Sequence, residues 1–325
     1  MSLRPPPSLG IVVPCYNEEE VLPETARRLA ALLDALIAAG RIAPRPAVYF
    51  VDDGSRDATW PLIEQIHAAD PRFTGVKLSR NRGHQNALMA GLEVATGDAV
   101  VTIDADLQDD PTVIGAMVDA FRGGADIVLG VRSDRSSDTG FKRITGQGFY
   151  RMMGALGVNM IYDHADFRLL GRPALVALSG YTESNLFLRA LVLQLGFTVA
   201  TVPYVRAERF AGESKYPLGK MIAFALDGIT SFSTRPLRLI TLFGFLVSTI
   251  SFGLGAWALY IALFTQKAVP GWASTTVPIY LICGVQLLCI GIIGEYVGKI
   301  YFETKRRPRF IIERVLGGSG ISGAG

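Results

Sequence analysis

Two long apolar runs late in the chain constrain its fold more than any other feature. Leu239 to Phe264 is almost uncharged, about 26 residues, enough to cross a ~30 Å hydrocarbon core with some tilt. Thr265 to Thr276, with Pro270, Gly271 and Trp272, reads as a loop, and a second apolar run covers about Val277 to Ile293. Neither run carries a polar face, which argues against the buried hairpin of a soluble protein. Arg235 and Arg238 precede the first run; Lys299, Lys305, Arg306, Arg307 and Arg309 follow the second; only Lys267 lies between. This asymmetry predicts two transmembrane helices with both flanks in the cytoplasm. Trp272, Tyr280 and Tyr296 fall near span ends, where aromatic belts form, and Glu295 reads as interfacial. The hydrophobic fraction of 50% and mean hydropathy of +0.32 have their excess after about residue 236.

The predicted organisation is a cytoplasmic domain over 1–216, a juxtamembrane amphipathic helix over 217–235, the two spans within 236–298, and a cytoplasmic C-terminal tail over 299–325. In the juxtamembrane stretch Met221, Ile222, Phe224 and Phe232 make an apolar side, with Lys220 and Asp227 on the polar one. Gly317 to Gly325 is Gly/Ser-rich and is expected to be disordered. Ile11–Val13 is too short for a signal-peptide core and is stopped by Pro14, so no secretory leader is expected. Three cysteines, Cys15, Cys283 and Cys289, are no disulfide framework and fit a reducing compartment. A net charge of +3 gives no reason to expect a nucleic-acid partner.

Before the apolar runs, strand-like and helix-like segments alternate. Strands are predicted over Gly10–Val13, Ala47–Val51, Gly75–Leu78, Ala99–Ile103 and Ile127–Gly130. Helices are predicted over Glu18–Ala39, Trp60–Asp70, His84–Ala95 and Pro111–Arg122. Such alternation predicts a doubly wound α/β domain with a mostly parallel sheet, whose ligand sits beyond the carboxyl ends of the strands. The polar motifs cluster there: Pro14-Cys15-Tyr16-Asn17-Glu18, Asp52-Asp53-Gly54-Ser55, Ser79-Arg80-Asn81-Arg82-Gly83 and Asp104-Ala105-Asp106-Leu107-Gln108. Carboxylates as close as Asp104 and Asp106 repel unless a cation neutralises them, and oxygen ligands suit a hard divalent ion that also grips phosphate. Asp109 and Asp110, before Pro111, are expected to cap the next helix. Neither a Gly-x-Gly-x-x-Gly after the first strand nor a Walker loop is present. His67, His84 and His164 lack the spacing of a zinc site.

With these motifs in order, followed by Asp166-Phe167-Arg168-Leu169-Leu170 and by Arg206 to Tyr216, the chain resembles the family 2 glycosyltransferases of GT-A fold. The likeness is to their polyprenyl-phosphate group, the bactoprenol glucosyltransferases and dolichyl-phosphate mannose synthases, and covers about residues 8–312. The resemblance implies a GT-A, Rossmann-like domain followed by two transmembrane helices. It implies Mg²⁺ or Mn²⁺ held by Asp106 and Gln108, with Asp104 a ligand or a nucleotide contact. Donor nucleotide would be met by Pro14, Tyr16, Glu18, Asp53, Arg80, Asn81 and Lys215. Acceptor phosphate would be met by Arg132, Lys142, Arg143, Arg206 and Ser214. Asp166, with Asp104 and Arg209, is placed at the transfer centre.

Several roles stay open on sequence alone. Asp166 is a general base or an orienting residue, and Arg168 its ion-pair partner or a substrate contact. Asp52 braces its loop or meets the nucleotide. Arg132, Lys142 and Arg143 hold phosphate or form a solvated basic surface. Arg206 to Tyr216 is a lid over the diphosphate or a basic linker on anionic lipid. No Gln-x-x-Arg-Trp occurs, and Trp60, Trp257 and Trp272 do not follow an Arg, so a processive polymerase loses ground. The expected activity is metal-dependent, inverting transfer of one hexose, glucose from UDP-glucose first, to undecaprenyl or another polyprenyl phosphate at the cytoplasmic membrane. The rivals are GDP-mannose or UDP-amino-arabinose as donor, and a catalytically silent scaffold that binds nucleotide sugars. Partners are thus a nucleotide-diphosphate sugar, a polyprenyl phosphate and the membrane; a homo-oligomer is neither required nor excluded.

Overall fold

A computed structural model of the chain describes residues 3–132, 164–183, 188–205, 235–264 and 272–317. The expectations for Lys142, Arg143, Arg206, Arg209, Ser214, Lys215 and the juxtamembrane stretch 217–234 lie outside these residues.

The alternation read from the sequence is the alternation of the fold. β1 (Leu9–Cys15), α1 (Leu22–Ala38), β2 (Ala47–Asp52), α2 (Thr59–Ala69), β3 (Phe73–Leu78), α3 (His84–Val94), β4 (Ala99–Thr102), α4 (Val113–Arg122) and β5 (Ile127–Arg132) follow one another. Then come β6 (His164–Gly171), α5 (Arg172–Ser179), α6 (Leu188–Gln194) and β7 (Val199–Tyr204). Two long helices, α7 (Arg235–Phe264) and α8 (Trp272–Thr304), precede β8 (Ile312–Val315).

The strands form one eight-stranded sheet in the order β7-β5-β6-β4-β1-β2-β3-β8. β4, β1, β2 and β3 run parallel, so their carboxyl ends share one edge. β6 runs antiparallel between β4 and β5, with Thr102, Arg168 and Leu129 in one register row. That reversal brings the Asp-Phe-Arg motif of β6 to the acidic loop after β4. β1 is buried at all its positions, as a central strand covered on both faces must be. Ile11, Val13, Phe50, Leu29, Leu33, Met117 and Phe167 belong to one buried cluster, each side chain contributing about 1.5–3 kcal/mol by leaving water.

α1 begins at Leu22, later than the sequence pattern predicts. The backbone of Asn17 and Glu18 and the carboxylate of Glu19 are spent on the neighbouring loop instead. Pro23 then falls in the first helical turn, where its missing N–H costs nothing.

Within 299–325, expected as a tail, β8 pairs antiparallel with β3 and covers the edge of the sheet. Lys77 pairs with Glu313 (3.2 Å) and Arg314 with Glu64 (2.8 Å), while the Leu316 N–H donates to Gly75 O (2.8 Å). Residues 307–317 therefore belong to the same compact unit as the sheet, and α7 and α8 lie in a second unit.

α7 has 30 residues and α8 has 33, lengths of about 45–50 Å at the helical rise. Leu242, Phe245, Ile250 and Leu254 on α7, and Ile279, Leu287, Ile290 and Ile300 on α8, are exposed. Among the described residues one stretch, Gly284–Thr304, is long and apolar enough to cross a membrane by length and composition.

Candidate active site

The loops after β1, β2 and β3 are locked to one another by backbone donors and short polar side chains. The Asn17 N–H donates to Ser55 Oγ (3.0 Å), and the Arg56 N–H donates back to Asn17 Oδ1 (2.9 Å). The Glu18 N–H donates to Thr59 Oγ1 (2.8 Å). Asn17 has φ +55°, a left-handed conformation that asparagine tolerates well. Asp53 accepts from the Arg82 N–H (2.6 Å) and the Gly83 N–H (2.8 Å). Burial pushes the Asp53 carboxyl up from its ordinary value, and those two N–H groups hold it back. Gly54, at φ +70°, leaves no room for a side chain: a Cβ would meet the Asn81 nitrogen at 2.6 Å. Asp52 uses Oδ1 on the Ser55 N–H (3.0 Å), while its buried Oδ2 has no hydrogen bond. Of the expected donor contacts, Tyr16, Arg80 and Asn81 are exposed at this rim, Glu18 is half-buried, and Pro14 is buried within β1.

The acidic loop is built differently. Asp104 is half-buried, and its Oδ1 is inaccessible and accepts no hydrogen bond. Burial, then the like charges of Asp166, Asp109 and Asp106, push its carboxyl up to about 6, against the pull of His84. Asp106 Oδ1 accepts from the Gln108 N–H (3.2 Å), and Leu107 between them has φ +57°. A non-glycine residue held there is strained, as backbone at functional sites often is. Asp110 bonds the N–H (2.9 Å) and the hydroxyl (2.7 Å) of Thr112, in the turn that opens α4. Asp109 was expected to share that capping role. It turns inward instead, 1% exposed, and accepts the Tyr204 hydroxyl at 2.7 Å.

Among the described residues no three His, Cys, Asp or Glu side chains converge as a ready-made cation site. Asp104 and Asp106 with Gln108 still fit Mg²⁺ or Mn²⁺ arriving with a diphosphate, since such ions take one or two carboxylates and complete their shell with phosphate oxygens and water. Oδ1 of Asp104, which has no hydrogen bond and only His84 Nε2 at 3.5 Å as an ion-pair partner among the described residues, is an anionic atom that such an ion would satisfy.

Asp166 is a hub. Its side chain, 11% exposed, pairs with Arg168 of β6 and with Arg189 of α6 (3.1 Å), and His84 Nε2 stands 3.6 Å away. The Thr102 hydroxyl donates to its carbonyl. Burial would push the Asp166 carboxyl up, but His84, Arg168 and Arg189 together hold it well below the usual carboxylate range. Arg168 is 2% exposed, lodged among Leu88, Leu92, Leu170 and Leu188, and so serves as a buried ion-pair partner.

His84 and Arg189 were not singled out as site residues by sequence reasoning. His84, 43% exposed, bridges the two acidic centres, 3.5 Å from Asp104 Oδ1 and 3.6 Å from Asp166 Oδ2. Burial lowers its affinity for a proton, yet Asp166 and Asp104 raise the imidazole above its ordinary value. Its place at the first position of α3, beyond the carboxyl end of β3, was the available signal. Arg189 sits in an apolar helix with no motif around it, and only the tertiary fold brings it to Asp166. Arg132, the last residue of β5, lies opposite Tyr204 of β7.

The model of glycosyl transferase family 2 matches residues 10–178, which span β1 to α5. The chain belongs to that family. Its enzymatic class is therefore glycosyl transfer. An uncharacterized glycosyltransferase of Bacillus subtilis, YkoT, is 50% identical over 94% of this chain and 91% of its own length. The SfII prophage-derived bactoprenol glucosyl transferase of Shigella flexneri is 41% identical over 94% of this chain and 97% of its own. Among solved structures, mannosyl-3-phosphoglycerate synthase from Rubrobacter xylanophilus superposes with a TM-score of 0.50 at 16% identity, covering 71% of this chain and 74% of that one. At that identity the likeness is one of fold, and the fold is GT-A.

Proposed function

We propose that this family 2 glycosyltransferase moves a single hexose from a nucleotide-diphosphate donor to the phosphate of a polyprenol, with UDP-glucose and undecaprenyl phosphate as first choices. The observation that carries this reading is the pairing of two opposite acidic centres in one cleft. Asp104 has an unsatisfied anionic oxygen, and Asp166, linked to it through His84, is saturated with cations. Full-length similarity to a bactoprenol glucosyl transferase supports the choice of acceptor.

In the proposed reaction an acceptor phosphate oxygen attacks the anomeric carbon, the bond from that carbon to the donor diphosphate breaks, and the nucleotide diphosphate leaves. One displacement inverts the anomeric centre, so an α-linked donor gives a β-linked lipid phosphate sugar. Mg²⁺ or Mn²⁺, when bound, would neutralise charge on the leaving diphosphate. Asp166 is a poor general base, because its proton affinity is lowered. It does not need to be one: a phosphate monoester has its second pKa near ~6 and is largely a dianion at neutral pH. Its role here is to orient Arg189 and His84 toward the reacting groups. Arg80 and Asn81 meet the nucleotide at the rim, Lys142, Arg143, Arg206 and Ser214 meet the lipid phosphate, and Arg209 and Lys215 belong to a lid.

We assign α7 and α8 as a membrane hairpin with the catalytic domain and both termini cytoplasmic. In support, strands β1 to β7 before the two helices and β8 after them belong to one folded unit, so any crossing must be made an even number of times. A reporter after Gly325 should read cytoplasm and a tag at Gly271 the outer face; a C-terminus on the outer face would refute the hairpin.

The deciding experiment offers a panel of nucleotide sugars to the detergent-solubilised protein with undecaprenyl phosphate and reads the lipid product by mass spectrometry. A hexosyl-phospholipid from UDP-glucose is expected. A product from GDP-mannose or UDP-amino-arabinose alone would change the donor, and no lipid product from any donor would refute the acceptor.

A further inference from the structure

The loop expected to meet the donor nucleotide, Ser79 to Gly83, is pinned at both ends. At its far end the Arg82 and Gly83 N–H groups donate to Asp53. At its near end the Ser79 N–H donates to the carbonyl of Ile311 (3.0 Å), a residue that follows both apolar helices in the chain. Arg80 and Asn81, between the two pins, are exposed. Ile311 leads into β8, whose own anchor lies away from the rim. Leu316 is buried in the main apolar cluster, and a Cβ on Gly75 of β3 would come within 2.8 Å of its Cδ1. Lys77 faces Arg314 while Leu78 faces Ile312, so β8 carries one extra residue, Glu313, where β3 runs out toward the rim. A bulge of this kind re-aims the end of a strand. Without β8, β3 would be the edge of the sheet, and the Ser79 N–H would lose its partner.

We propose that residues 311–316 are a positioning strap for donor binding: Leu316 anchors it, and the Ile311 carbonyl holds Ser79 so that Arg80 and Asn81 are set for the nucleotide. The proposal rests on the donor reading above and deepens it, because part of the donor affinity then comes from residues that touch no ligand. A loop already held in its binding conformation loses less conformational freedom when the nucleotide arrives. Docking of the strap and binding of the nucleotide therefore favour each other, and the linkage runs both ways. Loosening the strap weakens donor affinity, and bound nucleotide tightens the strap.

Hydrogen exchange on the full-length protein in detergent tests the second of these effects without any substitution. UDP with Mn²⁺ should slow exchange in residues 79–83 and also in 312–316. Protection of 79–83 alone overturns the linkage. Calorimetric titration with UDP at fixed Mn²⁺ tests the first effect. Leu316→Ala should weaken UDP binding by about fivefold to tenfold, the lower end of the usual coupling between distinct sites. Glu313→Lys replaces the partner of Lys77 with a like charge; it should weaken UDP binding by about twofold, and it decides the matter if Leu316→Ala does not fold. Leu33→Ala, also buried but on α1, is the control: it should melt lower and bind UDP as the wild-type protein does. Wild-type affinity in the strap variants that fold, or an equal loss in Leu33→Ala, overturns the role of the strap. If the wild-type protein binds neither UDP nor GDP, the donor reading itself fails.

Discussion

Asp53, buried, and Asp104, half-buried with one inaccessible oxygen, are carboxylates just beyond the carboxyl ends of parallel strands in one sheet, and they are treated in opposite ways. Asp53 has two backbone N–H donors within 2.8 Å, supplied by the loop after β3. Asp104 has a buried oxygen with no hydrogen bond, and three other carboxylates raise its pKa further. A satisfied buried carboxylate holds structure together; an unsatisfied one costs free energy until a cation arrives. The comparison separates bracing from binding within a single row of loops.

The largest effect expected from breaking this contrast is at the binding end. Asp106→Ala, or chelation with EDTA, should lower transfer by about a thousandfold or more, because leaving-group charge then has no strong neutralising partner. Circular dichroism should be unchanged. Full activity in EDTA would remove the cation from the reading.

Next comes Arg189, which ties Asp166 to α6. Arg189→Ala should reduce kcat by about tenfold to a hundredfold with little change in donor KM, since a charge aimed at the reacting groups matters most in the transition state. Arg189→Lys should recover part of that, as a point charge replaces the planar fork only partly. An equal loss in both variants with a lower melting temperature would make Arg189 a packing residue.

Asp53→Ala tests the bracing end. Two backbone donors would lose their partner, which should cost about 1–3 kcal/mol of stability. Chemical denaturation with the nucleotide absent measures this directly. Unchanged stability with a raised donor KM would return Asp53 to the nucleotide contact that the family resemblance implies.

The parallel half of the fold was legible because central strands advertise themselves. Ile11–Val13 and Ala99–Ile103 are short apolar runs followed at once by polar loops, and this pattern places the site at the strand ends without tertiary information. β8 was not legible. Ile312–Val315 carries two charges in four residues, and its pairing with β3 is a long-range contact across both apolar runs. The same limit applies in the site. Asp104, Asp106 and Asp166 stand in motifs, whereas His84 and Arg189 acquire their roles only through neighbours far away in the chain. Asp109 looked like a cap because of Pro111, and burial against Tyr204 decided otherwise.

The smallest effect is the sharpest test of the contrast, because its sign is unusual for a functional residue. Folded Asp104 holds its proton up to about 6, above the unfolded value near ~3.9. A carboxyl raised on folding binds more protons in the native state, so it destabilises the fold at neutral pH and stops doing so as the pH falls below its unfolded value. Asp166 has the opposite sign: its stabilisation is present above the unfolded value and is lost as the pH falls through its lowered folded one. Asp104→Asn should therefore stabilise the protein in EDTA at pH 7.5, by about 1–2 kcal/mol once loss of the attraction to His84 is set against it. The gain should shrink toward zero near pH 4, and the variant should be inactive at every pH. Addition of Mn²⁺ with UDP should reverse the order, because only the wild-type protein then gains binding free energy. Thermal melts at the two pH values, with and without Mn²⁺ and UDP, measure all of this. If Asp104→Asn instead lowered stability in EDTA at pH 7.5, Asp104 would be a satisfied structural carboxylate like Asp53, and the distinction between the two loops would collapse.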